Sequence, residues 1–591
     1  MYTHIPSVQI LISLLKQFNI RHLVISPGTR NTALSHSVEM DDFFTCYSVV
    51  DERSAGYFAL GIAQALDVPV CVSCTAATAT CNYLPAMKQT YEQGIQLVAL
   101  TADQDPYGMF HMEDQCIDQT DMFHGYVKCA VDVPMVKNEQ DYWYCNRRIN
   151  EALLALNHNG KGPVQINYHM AYGLKEISTY DVEVLPKTRK IERYSFPMDP
   201  APIAALLKEK KRILVVGGSD HDVTDSLRHA LAEFTQRYDC VAICDNFANA
   251  YSESGRVLNP KTLGDVISRW QIKELEPDLI LSFGNVYYST VKYFLPQYSK
   301  TAEHWQIAVD GMVNDGYHCL TRVFQCRPEV FFTAVNPFGK GDGEGTYARL
   351  WQERLAMIHE PDLGFTNFHA IKSLAERLPE RAVLHTSVLD SIRLSNYVNF
   401  PASVKCFANI GADGIDGALS SFLGQAATTS DLAFLIIGDL SILYDMNALL
   451  QKIPANVRIM VVNNYAGAEF HKNFGLERIP TLNQLVAAGH NVKIEKCCIN
   501  DRFRYLSAGN HQELEQALEE FLTEGTAPVL LEVFTDAPTD AATLKEYWRV
   551  NHTQASVGKK TLGGAVVEIL NKIVSQKAKD KIRAVWNALR S

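Results

Sequence analysis

Two widely separated groups of residues could do chemistry in this chain. The first, Asp51-Glu52-Arg53-Ser54-Ala55-Gly56, follows Phe44-Thr45-Cys46-Tyr47-Ser48-Val49-Val50, which reads as a buried strand. A carboxylate thus arrives at a strand end, ahead of a helical stretch rich in small residues, Ser54 to Ala63. A carboxylate in apolar surroundings is costly unless it has a partner. It reads as a helix N-cap, as half of an ion pair with Arg53, or, at Glu52, as a hydrogen-bond partner for a cofactor ring nitrogen. The second group, Gly438-Asp439-Leu440-Ser441, follows the strand-like run Phe434-Leu435-Ile436-Ile437, and Asn463-Asn464 follows the next, Ile459-Met460-Val461-Val462. Parallel strands joined by a helix would bring Asp439 and Asn464 to one sheet end, where ligands of open α/β sheets bind. Gly438 would let a diphosphate approach the backbone. A helix beginning at Ser441 would aim free N–H groups and a positive dipole end at the phosphates. One carboxylate, one amide oxygen, a carbonyl and phosphate oxygens suit a hard cation, with magnesium expected. The same residues also read as ordinary turn residues at neighbouring strand ends. A cofactor with an ionisable ring at one end and a diphosphate at the other would use both groups.

The elements that must position these residues are short apolar runs alternating with helical patterns. They include His22 to Ser26, Val68 to Val72, Gln96 to Leu100, Ile213 to Val216 and Leu279 to Ser282. Continuous runs of this kind suit strands buried on both faces, hence parallel sheets covered by helices. The fold class read from them is α/β, with three doubly wound parallel-sheet domains and a basic helical C-terminal tail. Two stretches read as connections: Pro186 to Pro202, charged and proline-bearing, and the glycine-rich Asn336 to Gly345. They divide the chain into blocks 1–185, 200–335 and 350–545, with a tail at 546–591. From Asn551 onward the tail carries eight basic residues (Lys559, Lys560, Lys572, Lys577, Lys579, Lys581, Arg583 and Arg590) against Glu568 and Asp580. It reads either as a solvated helix on its own subunit or as a contact with a partner or anionic surface.

Bulk composition agrees with a multi-domain globular protein. At 591 residues the chain exceeds one core. A net charge of -11 argues against nucleic acid as a partner. The 14 cysteines are scattered, with no paired C-x-x-C of zinc type, and read as reduced thiols of a cytoplasmic protein. Val8 to Leu15 is apolar but followed by Lys16 and a helical pattern, so it reads as a core helix and not a signal peptide. No apolar run is long enough for a transmembrane segment.

Taken in order, the motifs resemble one family. Ile25-Ser26-Pro27-Gly28-Thr29-Arg30-Asn31 is similar to the S-P-G-S-R stretch of the thiamine-diphosphate enzymes of menaquinone biosynthesis, the SEPHCHC synthases (2-succinyl-5-enolpyruvyl-6-hydroxy-3-cyclohexene-1-carboxylate synthases). Asp51-Glu52-Arg53 resembles their D-E-R, Leu100-Thr101-Ala102-Asp103 their L-T-A-D, and Gly411 to Gly417 their G-A-S-G-I-D-G. Gly438 to Ser441 and Val461 to Asn464 resemble their diphosphate motif; together these blocks cover about 1–540. The resemblance implies pyrimidine-binding, central and diphosphate-binding domains. It also implies a cofactor held between two subunits of a homodimer or homotetramer. It implies that Glu52 is the catalytic residue that hydrogen-bonds the aminopyrimidine. It implies that Asp439, Asn464 and the Ala466 carbonyl hold magnesium, and that Ile415 is the apolar wedge that bends the cofactor, with Gly438 and Ser441 beside the diphosphate. The bend is proximity catalysis. The activity implied is decarboxylation of a 2-oxo acid, with the resulting acyl-anion equivalent protonated or passed to an acceptor.

The departures cluster where that family binds acidic substrates. Its D-R-P is here Asp103-Gln104-Asp105. Its basic residue before the glycine block is replaced by Asn409-Ile410, and a Lys-Arg pair aligns near Ser289-Thr290-Val291-Lys292. Carboxylate-rich substrates want bidentate arginines, and losing about three cations costs roughly 1.5–3 kcal/mol each. Arg30 remains, Arg393 reads as equivalent to another arginine, and Gln115 matches a family glutamine, with Asp114 in place of an asparagine. Glu469-Phe470-His471 replaces apolar residues; Glu469 and His471 read as surface-loop charges or as groups that supply a proton or bind a polar acceptor. His36, His111, His124 and His169 receive no role. Three functions therefore stand: a carboligase of the menaquinone type, a decarboxylase or carboligase on another 2-oxo acid in surface-polysaccharide or secondary metabolism, and a degenerate non-catalytic homologue.

Overall fold

The apolar runs become strands because both faces of each are covered by helices, so every side chain in them can be apolar. The computed structural model describes residues 1–219, 224–250, 255–261, 263–266, 273–285, 291–341, 345–472, 475–498 and 503–556. The chain divides into two compact units, Met1–Met198 with Glu303–Cys326, and Asp199–Ala302 with Arg327–Ser591. The expected α/β class, with parallel sheets between helices, is what the chain adopts.

In the first unit a six-stranded parallel sheet runs in the order Thr45–Ser48, His22–Ile25, Val70–Cys74, Leu97–Asp103, Val164–His169, Cys129–Val133. Helix Pro6–Gln17 arises from the apolar stretch near the N-terminus and buries Val8, Ile10, Leu11, Ile12, Leu14 and Leu15. Three further parallel strands, Glu303–Ile307, Leu320–Gln325 and Glu192–Ser195, belong to this unit. The last lies inside the stretch Pro186 to Pro202 that reads as a connection. It is an edge strand, and its polar residues are held in place, as where Arg322 Nη1 meets Glu303 Oε2 (2.8 Å) and Arg322 Nε stands 3.7 Å from Glu192. A second correction concerns Thr45–Ser48. It is the edge of its sheet and half-exposed, not a strand buried on both faces.

The second unit holds a parallel set, Val257–Leu258, Val241–Cys244, Ile213–Gly217 and Leu279–Phe283. It also holds a six-stranded parallel sheet in the order Lys405–Ala408, Val383–Thr386, Ala433–Gly438, Val457–Asn463, Val529–Phe534, Arg504–Ala508. Two buried charges pin strand Val457–Asn463. Near its start Arg458, with no exposed surface, donates Nε–H to Phe521 O (2.9 Å), Nη1–H to Ala455 O (2.8 Å) and Val457 O (2.9 Å), and Nη2–H to Thr523 O (2.5 Å). At its end, the buried Glu532 carboxylate accepts from Asn463 Nδ2 (2.6 Å), Ile494 N (2.9 Å), Glu495 N (3.3 Å) and Tyr505 OH (2.7 Å).

Helix Ala537–Ser556 forms the start of the tail. The basic stretch Lys559 to Ser591, the side chains of Cys497 and Cys498, and Ser289 and Thr290 lie outside the described residues. Among the described side chains the cysteines form no disulfide. No helix among the described residues is long and apolar enough to cross a membrane.

Candidate active site

Strands Ala433–Gly438 and Val457–Asn463 pair in parallel with Gly438 opposite Val462, so Asp439 and Asn464 leave adjacent strands at the same sheet end. Helix Asp439–Tyr444 starts two residues earlier than the sequence pattern suggests and is followed by a 3-10 turn, Met446–Leu450. Asp439 is therefore the first helical residue. It is buried, and Leu440 N–H donates to its Oδ1 (2.7 Å). Its Oδ2 is buried and accepts no well-aligned hydrogen bond among the described residues. His490 Nε2 stands 3.2 Å from that oxygen. Because Val492 N–H donates to His490 Nδ1 (3.1 Å), the neutral imidazole carries its proton on Nε2, on the Asp439 side. Nothing in the sequence pattern marks His490.

The asparagine pair splits its duties. Asn463 is fully buried and structural, tied to Glu532 and to Val492 O. Asn464 donates Nδ2–H to Asp540 Oδ2 (3.0 Å), which fixes the orientation of its amide and leaves Oδ1 as the acceptor, with Ala466 N–H 3.4 Å away. Burial pushes the Asp540 carboxyl up to about 7 against these bonds. Tyr465 between them holds φ +63°, strained for a residue with a Cβ.

Beside this turn lies a cavity of about 200 Å³ whose lining includes Ser387, Ile415, Gly438, Asp439, Ser441, Asn464, Ala466, Glu469 and Phe470. A Cβ added at Gly438 would meet no atom within 4 Å, so the backbone borders open space there. Ser441 Oγ–H donates to Ile415 O (2.5 Å), which holds the Ile415 segment over the helix start. Leu389, also in the lining, sits at φ +64° and ψ -121°, a conformation that costs a residue with a side chain on the order of 1–3 kcal/mol. The donor set suits a magnesium–diphosphate group: a buried carboxylate oxygen that accepts no well-aligned hydrogen bond, an oriented amide oxygen, a backbone carbonyl and room beside a glycine.

The substrate candidates fare differently. Arg393 is not available as a free cation. Its Nη1 donates to Asp390 Oδ1 (2.9 Å) and to Glu469 Oε2 (2.8 Å), and Lys472 Nζ meets Asp390 Oδ1 (2.5 Å) and Glu469. Burial pushes the Glu469 carboxyl up to about 7 in spite of Arg393. Glu469 is thus a cavity-wall residue and not a surface-loop charge. His471 is absent from the lining; its carbonyl accepts from Lys545 Nζ (3.0 Å), and its buried Nε2 has no hydrogen bond among the described residues.

Glu52, Arg30 and Gln115 belong to the first unit. Asp51, exposed, is the N-cap of helix Glu52–Leu66, accepting from Ser54 N–H (2.7 Å), with Arg53 Nε 4.0 Å away. Glu52 is the first helical residue and is half-exposed. Arg30 donates Nη1–H to Met170 O (2.8 Å). Gln115 is exposed at φ +57° in the loop after strand Leu97–Asp103. His169 does have a structural role that the sequence left open. Its Nε2 meets Asp132 Oδ2 (3.0 Å) and its Nδ1 meets Gln104 O (2.8 Å). Burial opposes its charge, yet Asp132 and Asp103 hold its pKa up to about 9.

Residues 7–122 match the family model for the thiamine pyrophosphate enzyme, N-terminal TPP binding domain. The chain is 34% identical over 558 residues to the 2-succinyl-5-enolpyruvyl-6-hydroxy-3-cyclohexene-1-carboxylate synthase of Bacteroides thetaiotaomicron, covering 93% of this chain and 99% of the relative. It is 32% identical over 557 residues to the synthase of the same name from Phocaeicola vulgatus, and 32% over 564 residues to that from Bacteroides fragilis, with the same coverage in each case.

Proposed function

This chain belongs to the thiamine-diphosphate enzymes, in the family of the 2-succinyl-5-enolpyruvyl-6-hydroxy-3-cyclohexene-1-carboxylate synthases, and from that premise we propose that it decarboxylates a 2-oxo acid and transfers the acyl-anion equivalent to an acceptor. When bound, thiamine diphosphate supplies the electron sink for loss of carbon dioxide. Asp439, Asn464 and the Ala466 carbonyl would hold the magnesium ion that anchors the diphosphate, beside Gly438 and Ser441. Ile415 would press on the cofactor from the lining. Glu52 would hydrogen-bond the aminopyrimidine and so set the protonation state of its ring. The observation that carries this reading is the buried Asp439 Oδ2, which accepts no well-aligned hydrogen bond among the described residues, at the same sheet end as Asn464 and next to the open space at Gly438. On the same reading, 1–185 is the pyrimidine-binding domain, 200–335 the central domain and 350–545 the diphosphate-binding domain.

We place Glu52 opposite the metal site of a second copy, in at least a homodimer. The exposed apolar residues Val50, Tyr57, Phe58 and Leu84 around its helix support this. Described cysteines outside any disulfide support a reducing, cytoplasmic setting. Arg30 and Gln115 remain candidates for substrate contact, and His471 for a supporting role behind Glu469. The test is uptake of thiamine diphosphate with magnesium, followed by carbon dioxide release across a panel of 2-oxo acids. Glu52→Gln should abolish release while leaving cofactor affinity within a few fold. Failure of the protein to bind the cofactor overturns the proposal. A second reading, turnover of a 2-oxo acid unlike those of the named relatives, is favoured by the engagement of Arg393 with two carboxylates.

A further inference from the structure

The first unit buries a charged network that the proposed chemistry leaves unused. It lies at the carboxyl ends of three parallel strands, Leu97–Asp103, Cys129–Val133 and Val164–His169, the end at which ligands of open α/β sheets bind. His169 and Asp103 are almost wholly buried, and Asn167 and Gln119 are fully so. The direction of each hydrogen bond follows from one backbone group. Ala77 N–H can only donate, and it donates to Gln119 Oε1 (3.0 Å). Gln119 Nε2–H therefore donates to Asn167 Oδ1 (2.9 Å), joined there by Thr101 Oγ1–H (2.8 Å). Asn167 in turn gives its Nδ2–H groups to Asp103 Oδ2 and Asp132 Oδ1 (2.8 Å each). Both carboxylates are thus acceptors. His169 Nε2 faces Asp132 Oδ2 (3.0 Å) and Nδ1 faces Gln104 O (2.8 Å), so both nitrogens donate and the ring is an imidazolium.

What this network holds is a loop. Gln104 N–H also donates to Asp103 Oδ1 (2.7 Å), so both backbone groups of Gln104 are tied down. Gln104 Nε2–H donates to Asp114 O (3.2 Å), which closes the loop one residue before Gln115. At the next position along the strand end, Met170 N–H donates to Asp103 O (2.9 Å) and Met170 O accepts from Arg30 Nη1–H (2.8 Å). Arg30 and the loop of Gln115 are both fastened to His169-Met170.

We infer that His169 is a positioning residue for the substrate: its imidazolium ties the Gln104 carbonyl, and with it the loop that presents Gln115, to the strand end that holds Arg30. This rests on Arg30 and Gln115 as substrate contacts and deepens that reading. Burial opposes the charge of His169, yet Asp132, the Gln104 carbonyl and Asp103 hold its pKa up to about 9. Beyond these partners, Arg148 acts on Asp132, and the Cys116 thiol, raised first by burial, acts on Asp103. A raised value means that the charge is present below about pH 9 and lost as pH rises through it.

The experiment uses the full chain loaded with thiamine diphosphate and magnesium, with cofactor content measured on each sample. Carbon dioxide release is followed from pH 6 to 10 with pyruvate, 2-oxobutanoate and 2-oxoglutarate, and variants are compared on the acid that the wild type turns over fastest. His169→Ala should raise KM about tenfold at pH 7.5 while kcat falls less than about threefold, and added imidazole should restore KM. Wild-type KM should climb as pH rises through about 9, where the ring gives up its proton. Asp132→Asn removes the larger supporting charge and should move that rise toward the ordinary histidine range; its side chain is 40% exposed, so it serves where the alanine variant does not fold. Cys116→Ser should leave the rise in place. A KM that ignores His169→Ala, a loss confined to kcat, a wild-type KM flat through pH 9, or a rise unmoved by Asp132→Asn overturns the inference. If Arg30→Ala and Gln115→Ala leave kcat/KM unchanged in cofactor-loaded enzyme, the reading beneath it fails instead.

Discussion

Glu469→Gln should raise the melting temperature at alkaline pH and change little in acid. Burial carries the Glu469 carboxyl from 4.5 up to about 7 in the folded protein. Between those values the folded chain keeps a proton that the unfolded chain has released, so stability falls as pH rises through that window and stays lowered above it. A shift of about 2.5 units at 1.36 kcal/mol each makes about 3 kcal/mol. The side chain is 17% exposed, so solvent screens little of this. Glutamine keeps an oxygen for Arg393 but cannot ionise, and so escapes the cost. At roughly 2–4 °C per kcal/mol, the gain is about 6–12 °C at pH 8.5. At pH 5 it should shrink to less than about 1 kcal/mol, because there the folded-state group stays neutral and the pH lies only about half a unit above the unfolded value. The assay is thermal melting of the cofactor-free wild type and variant from pH 5 to 9. A variant less stable than wild type at pH 8.5, or an offset that ignores pH, would show that the ionised cluster is net favourable and refute the reasoning.

Three other substitutions probe the site and its supports. Asp439→Asn keeps the contact with Leu440 N–H but removes the one carboxylate of the metal set; magnesium-dependent cofactor affinity should drop roughly 10- to 100-fold by calorimetry, from about 1.5–3 kcal/mol. His490→Ala should weaken magnesium retention about tenfold in a chelator titration, at the lower end of what outer partners of metal ligands contribute, with cofactor affinity restored at saturating magnesium. Glu532→Gln turns an amide N–H₂ toward groups that can only donate or must reorient; it should cost about 2–3 kcal/mol, read as a lower melting temperature, and weaken cofactor binding through the displaced Asn463.

The strands that carry Asp439 and Asn464 were legible because central parallel strands are apolar throughout, as Phe434 to Ile437 and Ile459 to Val462 are. The same rule misplaced Thr45–Ser48, since an apolar run does not tell an edge from a centre. It also missed Glu192–Ser195, because an edge strand beside prolines reads as polar linker. The site was half legible. Gly438, Asp439 and Asn464 have a fixed spacing from their strands. The engagement of Arg393 depends on Glu469 and Asp390 meeting it and Lys472 from segments 76 to 82 residues apart in sequence, which spacing cannot reveal. His490 and Asp540, too, reach the site only through the fold.

Strand Val457–Asn463 behaves like a ruler clamped at both ends, by Arg458 among carbonyls and by Glu532 among four donors. Sliding it by one position would turn each clamp to the opposite face, so the cost of misalignment far exceeds that of a purely greasy strand. Swapping buried charges for well-packed hydrophobes often leaves a protein as stable or more so. A redesign of Arg458 and Glu532 for heat resistance would therefore succeed by its own measure while letting Asn464 drift out of line with Asp439. In this sheet, endurance and aim are separable properties, and selecting for the first alone would dull the second.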